Sequence, residues 1–413
     1  MKIAQVAPLF ESVPPKAYGG TERVVAYLTD ALVELGHEIT LFASGDSVTR
    51  AKLVPVVPQS LRLDPRHPDW LTWHLIMIDQ VFEAAESFDL IHFHVDYLHV
   101  LSARVCPRPC VTTVHGRLDS PDLAAFLQHF SGQNLITISD SQRAQLTCSG
   151  WRATVHHGLP VDLYRFHPEA QDYFAFVGRI SPEKRVDRAI EIAIACGVRL
   201  RIAAKVDAMD QQYFDTEIRH LLDHPLIEYI GEIGEEQKDD FIGNARALLF
   251  PIDWPEPFGL VMIEAFACGT PVVAYRCGAV SEVMEDGVTG FVVDDLPGAI
   301  SAARAIGNID RRACRRVFEQ RYTSIAMANR YVEAYRSLPG ATAAAAATTQ
   351  RGDQASLQAD ALVSNQALVS NQARISNQSL VSNRSLVPSP ALVQNQAVIQ
   401  SQVRAHTPGT MHD

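Results

Sequence analysis

The sequence predicts an α/β protein made of two Rossmann-like, doubly wound domains that face an interdomain cleft. Across the 413 residues, short apolar runs alternate with amphipathic segments, and this alternation occurs twice. Residues 155–168, which contain a glycine and two prolines but no periodicity, separate the halves. Alternating strands and helices are typical of parallel sheets covered on both faces, which bind ligands beyond the carboxyl ends of their strands. We therefore expect functional residues at those ends.

In the first half, the apolar pattern predicts strands at residues 2–7, 38–43, 89–94, 110–114 and 134–139, and long helices at residues 21–35 and 70–86. Gly36 follows the first helix directly, as is typical of a helix C-terminus. Residues 47–68 show no clear pattern, so we expect them to form loops.

In the second half, the pattern predicts strands at residues 173–177, 199–204, 227–231, 247–252 and 270–275, and helices at residues 185–195, 210–222, 235–244 and 259–268. Gly269 is expected to end the last of these helices. Gly278–Glu282 opens a further helix, and residues 310–338 have the period of one or two amphipathic helices.

The composition is that of a soluble globular protein, because 47% of the residues are hydrophobic and 20% are charged. The net charge of −11 disfavours a nucleic-acid partner. Seven scattered cysteines without a Cys-x-x-Cys pair predict reduced thiols in the cytoplasm. Met1–Phe10 is expected to form a strand rather than a signal peptide, and no apolar run reaches the roughly 20 residues that span a bilayer. We expect at most peripheral contact with the inner face of a membrane.

Residues 340–413 differ in character from the rest of the chain. From Ala361 onwards a six-residue pattern recurs, beginning Ala-Leu-Val-Ser-Asn-Gln. A period of six turns each copy by about 240° around a helix, so no apolar stripe forms. The pattern favours a disordered low-complexity tail, and a short parallel β-helix is the alternative.

The strongest functional signal lies around Glu256 and Glu264. The segment Pro255-Glu256-Pro257 follows a predicted buried strand and precedes a helix that starts near Gly259. A helix N-terminus offers unpaired N–H groups and a positive dipole end, which suit an anion. With seven residues between the glutamates, one carboxylate lies at the opening and the other one to two turns along the helix. This geometry suits an extended ligand with hydroxyls at both ends and phosphates between them.

Each glutamate also has a simpler interpretation, which is an exposed charge that complements the helix dipole. The helix around Glu264 is almost entirely apolar, so we expect this carboxylate to be buried without a protein partner. Because an unpaired buried carboxylate is costly, a polar ligand is the more economical explanation.

Basic residues and glycines lie at other strand ends. Arg179 and Lys184 can hold phosphate oxygens, although a solvated basic turn is the alternative. Gly19 and Gly20 would let a phosphate or sugar approach the backbone, or they form an ordinary loop-to-helix turn. His115 could donate to a sugar hydroxyl, or it is a turn histidine bonded to the backbone.

His92 and His94 share one face of a predicted strand, which raises the question of a metal site. A third ligand of suitable spacing is not evident, and no Asp-x-Asp pair occurs in the chain. We therefore expect no essential metal.

The segment from Glu256-Pro-Phe-Gly-Leu through Glu264-Ala to Ala-Cys-Gly-Thr-Pro-Val-Val-Ala resembles the signature of the family-4 retaining glycosyltransferases. Members have the GT-B fold and use nucleotide-sugar donors. Arg179 and Lys184 match the residues that bind the donor diphosphate in the family. Lys184 is followed here by Arg185, where the family usually has glycine, so the local turn is expected to differ.

The resemblance covers roughly residues 1–338 and implies a domain organisation. Residues 1–158 would form the acceptor-side domain, residues 159–322 the donor-side domain, and residues 323–339 a terminal helix that crosses back to the first domain. The tail at residues 340–413 lies beyond it. Residues 7–46 also resemble a bacterial subgroup associated with antibiotic and surface-saccharide assembly.

The resemblance implies a retaining hexosyltransferase that moves a sugar from a nucleoside-diphosphate donor to an acceptor hydroxyl. Arg179, Lys184 and the helix start at Phe258-Gly259-Leu260 would neutralise the leaving diphosphate. Glu264 would hold ribose hydroxyls, Glu256 the sugar ring and His115 the transferred sugar. The predicted catalytic residues are Glu256, His115, Arg179 and Lys184, and the predicted substrate-binding residues are Gly19, Gly20, Phe258, Gly259, Leu260 and Glu264.

The implied partners are the nucleotide sugar, which is a substrate rather than a cofactor, and a saccharide, lipid-linked or small-molecule acceptor. A dedicated base is not required if the leaving phosphate oxygen takes the acceptor proton. Two other functions stay open. One is a sugar-nucleotide hydrolase or epimerase of the same fold, and the other is a non-catalytic protein that binds nucleotide sugars.

Overall fold

The computed structural model describes residues 1–16 and 19–339. Tyr18, which precedes the predicted glycine pair, and the predicted low-complexity tail at residues 340–413 lie outside the described residues.

The first lobe is a seven-stranded parallel sheet with helices between its strands. Its strands are β1 (Lys2–Val6), β2 (Glu38–Ser44), β3 (Lys52–Val57), β4 (Leu90–Phe93), β5 (Cys110–Thr113), β6 (Leu135–Thr137) and β7 (Trp151–Thr154). Its helices are α1 (Gly20–Glu34), α2 (Trp70–Glu83), α3 (Val100–Ala103), α4 (Pro121–His129) and α5 (Asp140–Ala144). The strand order is β3-β2-β1-β4-β5-β6-β7.

The second lobe is a six-stranded parallel sheet. Its strands are β8 (Tyr173–Arg179), β9 (Arg199–Lys205), β10 (Ile227–Gly231), β11 (Ala247–Phe250), β12 (Val272–Tyr275) and β13 (Gly290–Val293). The helices that come after β8 in the chain are α6 (Val186–Cys196), α7 (Gln211–Tyr213), α8 (Glu235–Gly243), α9 (Leu260–Cys268), α10 (Val280–Val283), α11 (Leu296–Ala305), α12 (Arg311–Arg321) and α13 (Ser324–Arg336). The strand order is β10-β9-β8-β11-β12-β13.

The two sheets have the same topology around their first strands. In each, the chain moves outward to one side of the first strand and then crosses to its other side, at β1 and β4 in the first lobe and at β8 and β11 in the second. Such switch points are where doubly wound sheets bind ligands. The predicted fold class, an α/β protein with two Rossmann-like sheets, is confirmed.

The central strands explain why the apolar pattern was informative. β4 and β11 are buried at all four of their positions, as expected for parallel strands covered on both faces. The helix α9 is buried from Met262 to Cys268 and ends at Gly269, whose φ of 81° lies in the left-handed region that favours glycine. This agrees with the predicted helix end.

Several elements differ from the sequence prediction. The strand β3 lies within residues 47–68, which were expected to form loops. It is an edge strand, and Pro55 interrupts its apolar run from Leu53 to Val57, which weakens the strand signal in the sequence. The predicted helix at residues 210–222 is divided into α7, a π-helical turn at Phe214–Ile218 and a 3₁₀ turn at Arg219–Asp223. The strands β7 and β13 and the helices α3, α4, α5 and α11 were not predicted.

The terminal helix α13 packs against the first lobe. Its residues Met327 and Tyr331 belong to the same buried cluster as Val24 and Leu28 of α1. The Tyr331 hydroxyl lies 3.0 Å from the Thr113 hydroxyl at the end of β5. Since α12 belongs to the second lobe, the chain returns to the first lobe at this helix.

We expect the Tyr335→Phe variant to lose about 1–3 kcal/mol of unfolding free energy, because a buried hydrogen-bonding group loses its partner. The Tyr335 side chain is 1% exposed, and its hydroxyl lies 2.8 Å from His92 Nδ1. Urea denaturation measures the change. Tyr97→Phe, at a residue that is 48% exposed, is the control and should stay within about 0.5 kcal/mol of wild type. Equal losses of unfolding free energy in both variants would contradict the role of Tyr335 in holding α13 to the first lobe.

Candidate functional site

A cleft of about 500 Å³ lies between the two lobes, a volume typical of ligand sites. It is lined by segments that follow the strands of both sheets. All ten residues predicted from the sequence line it, namely Gly19, Gly20, His115, Arg179, Lys184, Glu256, Phe258, Gly259, Leu260 and Glu264. The structure therefore brings the predicted residues together, while their individual roles remain predictions.

Two helices of opposite lobes begin at this cleft. α1 starts at Gly20 in the first lobe, and α9 starts at Leu260 in the second. A Cβ atom on Gly20 would lie 3.8 Å from Leu260 Cδ1, so the two helix starts nearly touch. The first-turn N–H groups of a helix have no partner within the helix, and its dipole is positive at that end. The cleft therefore offers two helix N-termini to an anionic ligand.

Glu256 lies at the mouth of α9 and is held through one of its two carboxylate oxygens. Oε2 accepts from Lys184 Nζ at 2.5 Å and from Trp254 Nε1 at 3.0 Å. Within residues 1–16 and 19–339, no side chain or backbone group donates to Oε1 of Glu256. One oxygen thus fixes the side chain, and the other can accept from a ligand hydroxyl.

Gly278 and Ala279 pack against the backbone of Glu256 and hold it in place. The carbonyl of Glu256 accepts from Ala279 N at 2.9 Å. Gly278 has a φ of 57°, and a Cβ atom there would overlap the backbone nitrogen and oxygen of Glu256. Residues 278–282, predicted above to open a further helix, do not line the cleft and instead support the loop that carries Glu256.

Glu264 is buried, as expected, but the prediction that it has no protein partner was wrong. Its Oε1 accepts from Arg23 Nη1 at 2.6 Å and from Lys238 Nζ at 3.3 Å. Burial alone would raise the pKa of Glu264, but Lys238 and Arg23 lower it to about 2. The partners come from α1 and α8, which are distant in sequence, so the apolar helix around Glu264 gave no sign of them.

The predicted phosphate-binding cations are also paired with acidic side chains. Arg179 lies 2.9 Å from Glu183, 3.5 Å from Asp207 and 3.2 Å from Asp210. Lys184 lies 4.9 Å from the centre of the Trp254 ring, in addition to its contact with Glu256. These contacts hold both cations in place at the carboxyl end of β8.

Arg185 adopts the left-handed backbone conformation that favours glycine, with φ of 53° and ψ of 51°. Such a conformation costs a non-glycine residue of the order of 1–3 kcal/mol. Two ion pairs offset it, since the guanidinium lies 2.7 Å from Asp187 and 2.9 Å from Asp253. The turn after Lys184 is therefore one that a glycine could also form, and a difference from the turn of the family stays a prediction.

His115 is held by a chain of hydrogen bonds that starts on α13. Tyr335 Oη lies 3.4 Å from Gln5 Nε2, and Gln5 Oε1 accepts from His94 Nε2 at 2.8 Å. His94 Nδ1 then accepts from His115 Nε2, also at 2.8 Å. Burial lowers the pKa of His115 to about 3, so this ring is neutral at pH 7. In this arrangement its other nitrogen, Nδ1, is a hydrogen-bond acceptor, whereas the sequence suggested a donor.

The two histidines considered as metal ligands are occupied by hydrogen bonds. His92 bonds through Nδ1 to Tyr335 and through Nε2 to Thr113, each at 2.8 Å. His94 uses both ring nitrogens in the chain just described. Their arrangement is accounted for by contacts within the protein.

Several residues of the cleft were not predicted from the sequence. Arg23 and Lys238 hold Glu264, Trp254 holds Glu256, and His157 lies between His115 and Phe258 with ring-centre distances of 5.4 and 4.9 Å. Arg23 lies one turn into α1 after the glycine pair, and Lys238 lies in α8 just after β10. The available signals were the glycine pair just before Arg23 and, for Lys238, a place in the helix that follows β10.

Two family models match the chain. Residues 18–165 match the model described as Glycosyltransferase Family 4, and residues 165–309 match the model described as Glycosyl transferases group 1. An uncharacterized glycosyltransferase of Methanocaldococcus jannaschii is 26% identical over 339 residues, which cover 71% of this chain and 85% of that protein. None of the helices in the described ranges combines the length and apolar character that a membrane crossing requires.

Solved structures with similar folds include AviGT4, a glycosyltransferase involved in avilamycin A biosynthesis. It is 27% identical with a TM-score of 0.63, and the match covers 81% of this chain and 97% of AviGT4. An Anabaena protein, HepE, solved in complex with UDP-glucose, has a TM-score of 0.61 at 17% identity, covering 82% of this chain and 100% of HepE. At that identity, the likeness to HepE concerns the fold alone.

We expect Gly278→Ala to lower the free energy of unfolding by about 2–5 kcal/mol, because a left-handed backbone and an atomic overlap both have to be relieved. Gly287→Ala is the matched control. Gly287 has a φ of 75°, but no described atom lies within 4 Å of the added Cβ, so only the backbone cost of about 1–2 kcal/mol remains. Urea denaturation compares the two, and equal losses would show that the loop of Glu256 does not depend on Gly278.

Proposed function

The chain belongs to the family-4 glycosyltransferases of GT-B fold, and on that basis we propose that it transfers a sugar from a nucleoside-diphosphate donor to an acceptor hydroxyl with retention of anomeric configuration. The observation that carries the proposal is the convergence of Arg179, Lys184, Glu256 and Glu264 on one cleft beside the N-terminus of α9. Cations and helix N–H groups suit a diphosphate, and carboxylates suit the hydroxyls of ribose and sugar.

Arg179 and Lys184 would hold the diphosphate. Each is already held by a carboxylate of the protein, so neither needs to be ordered when the donor binds. Preorganised charge of this kind stabilises a developing anion more than a mobile cation does. As the bond between the anomeric carbon and the phosphate oxygen breaks, the negative charge gathers on that oxygen beside both cations.

Glu256 and His115 would hold the transferred sugar from opposite lobes. Glu256 offers Oε1 and His115 offers Nδ1, and both are hydrogen-bond acceptors for sugar hydroxyls. A carboxylate near the ring also stabilises the positive charge of an oxocarbenium-like transition state. The acceptor oxygen then bonds to the anomeric carbon on the face from which the diphosphate leaves, and its proton passes to the departing phosphate oxygen.

Two solved structures of similar fold support the proposed classes of donor and acceptor. The HepE complex contains UDP-glucose, and AviGT4 is a glycosyltransferase involved in avilamycin A biosynthesis. We infer a hexose donor and an acceptor in surface-saccharide or secondary-metabolite glycosylation, which is a saccharide, lipid-linked or small-molecule hydroxyl. A cytoplasmic location, with at most peripheral membrane contact, fits donors made in that compartment.

We expect Arg179→Ala and Glu256→Ala to lower kcat/KM by at least about 100-fold, since each removes a charge-stabilising contact of about 2.7 kcal/mol or more. The measurement is nucleoside-diphosphate release with a panel of donors and sugar acceptors. Controls are Arg276→Ala and Glu228→Ala, which remove half-exposed ion pairs outside the cleft and should keep wild-type rates. Folded variants of Arg179 and Glu256 with wild-type rates would refute the proposal.

The same assay separates the alternative functions. Wild-type enzyme should release free sugar from the donor much more slowly without an acceptor than with one. Rapid release without an acceptor would instead identify a hydrolase, and failure of substoichiometric enzyme to turn over the donor would identify a binding protein.

The product should have the same anomeric configuration as the donor sugar, and the rate should be unchanged by EDTA. The first follows from attack on the face that the leaving group vacates, and the second from the use of Arg179 and Lys184 in place of a metal. Proton NMR of the new linkage during the first turnovers measures the configuration. An inverted linkage would contradict the mechanism, and loss of activity in EDTA that Mg²⁺ restores would contradict the role of the cations.

A further inference from the structure

Arg23 reaches from the first lobe to a carboxylate that belongs to the second. It lies in the first turn of α1, and its Nη1 donates to Glu264 Oε1 at 2.6 Å. Both side chains are almost fully buried, with exposed fractions of 8% and 2%. The contact joins the two helices that begin at the cleft, and both residues line the cleft.

The two carboxylate oxygens of Glu264 differ in their contacts. Arg23 and Lys238 both donate to Oε1. In the described part of the chain, no group donates to Oε2. A carboxylate has about four acceptor positions, so Oε2 retains its full capacity for a hydroxyl donor. The two cations therefore hold the carboxylate in one orientation without using the oxygen that a ligand would need.

The surrounding charges make Arg23 necessary for this arrangement. Glu235 lies 2.8 Å from Arg23 Nη2 and 3.7 Å from Lys238 Nζ, and it also accepts from the Tyr164 hydroxyl. Two carboxylates thus share two cations. If Arg23 were neutral, Glu235 and Glu264 would compete for the single ammonium of Lys238, and the buried Glu264 would lose its nearest compensating charge.

We propose that Arg23 is a positioning residue for the donor nucleotide, which fixes Glu264 so that Oε2 accepts from the ribose hydroxyls only while the two lobes are in contact. The inference rests on the proposed function, in which Glu264 holds the ribose. It assigns part of the donor affinity to the acceptor-side lobe. A donor would then be held tightly only when both halves of the site are assembled.

The test measures binding of UDP, ADP and GDP, and of their 2′-deoxy counterparts, by isothermal titration calorimetry on the full chain. Wild type should prefer the ribonucleotide over its 2′-deoxy form by about tenfold or more, as expected for a hydrogen bond to a charged group. Arg23→Gln should weaken ribonucleotide binding about tenfold and reduce the preference to about twofold. Arg23→Lys keeps the charge but not the planar set of guanidinium donors, so its affinity and its ribose preference should be intermediate.

The pH dependence of that preference separates positioning from a general structural role. Arg23 and Lys238 keep the pKa of Glu264 low in wild type, so the preference should stay constant between pH 7.5 and pH 5. Without Arg23 the pKa of Glu264 rises, and protonation removes an acceptor as the pH falls. The preference of Arg23→Gln should therefore decrease further towards pH 5. Protonation of the phosphates affects both nucleotides equally and cancels in the ratio.

Arg165→Gln is the matched control, because Arg165 pairs with Asp239 and Asp240 of the same helix α8 but is 70% exposed and lies outside the cleft. It should bind as wild type does. If Arg23→Gln keeps the wild-type preference for ribose, the inference is overturned. If that variant does not fold, an unchanged ribose preference in Arg23→Lys overturns the inference instead. Wild type that binds the nucleotides without ribose preference also overturns it, while the proposed transfer stands. Wild type that binds none of the nucleotides overturns both.

Discussion

The site depends on the compensation of buried charge. Glu264 lies on α9, a helix that is buried on nearly every side, and a carboxylate in such a place must be paired or it becomes neutral. Arg23 and Lys238 provide the pairing, and one of them comes from the opposite lobe. The orientation of the carboxylate, the contact between the lobes and the shape of the cleft are therefore parts of one electrostatic arrangement.

The same principle extends along the cleft. Lys184 is paired with Glu256, and Arg179 with three acidic residues, so the cations expected to meet a diphosphate are all held in place by carboxylates. In both glutamates one oxygen is bonded within the protein, and the other receives no hydrogen bond from residues 1–16 and 19–339. The parallel sheets make this possible, because the segments that follow their strands gather at one edge and bring residues from distant parts of the chain together.

The sequence was most informative where function is carried by short segments. The apolar run of β11, the prolines around Glu256 and the glycine at the end of α9 sufficed to predict a strand, a loop and a helix start, and the predicted residues do line one cleft. The family could also be predicted from this segment.

The predictions that failed concern contacts between residues far apart in the sequence. Arg23 lies 241 residues before Glu264, and no local pattern links them. The edge strand β3 was missed because Pro55 interrupts its apolar run, and the segment at residues 210–222 was missed because its irregular backbone has no clear periodicity.

A crystal structure of the full chain with the nucleoside diphosphate that binds it most tightly would test the central claim most directly. We predict diphosphate oxygens within hydrogen-bonding distance of Arg179, Lys184 and the first amides of α9, and a ribose hydroxyl on Glu264 Oε2 while Arg23 still contacts Oε1. A nucleotide bound outside the cleft, or a ribose that contacts neither oxygen of Glu264, would contradict the account.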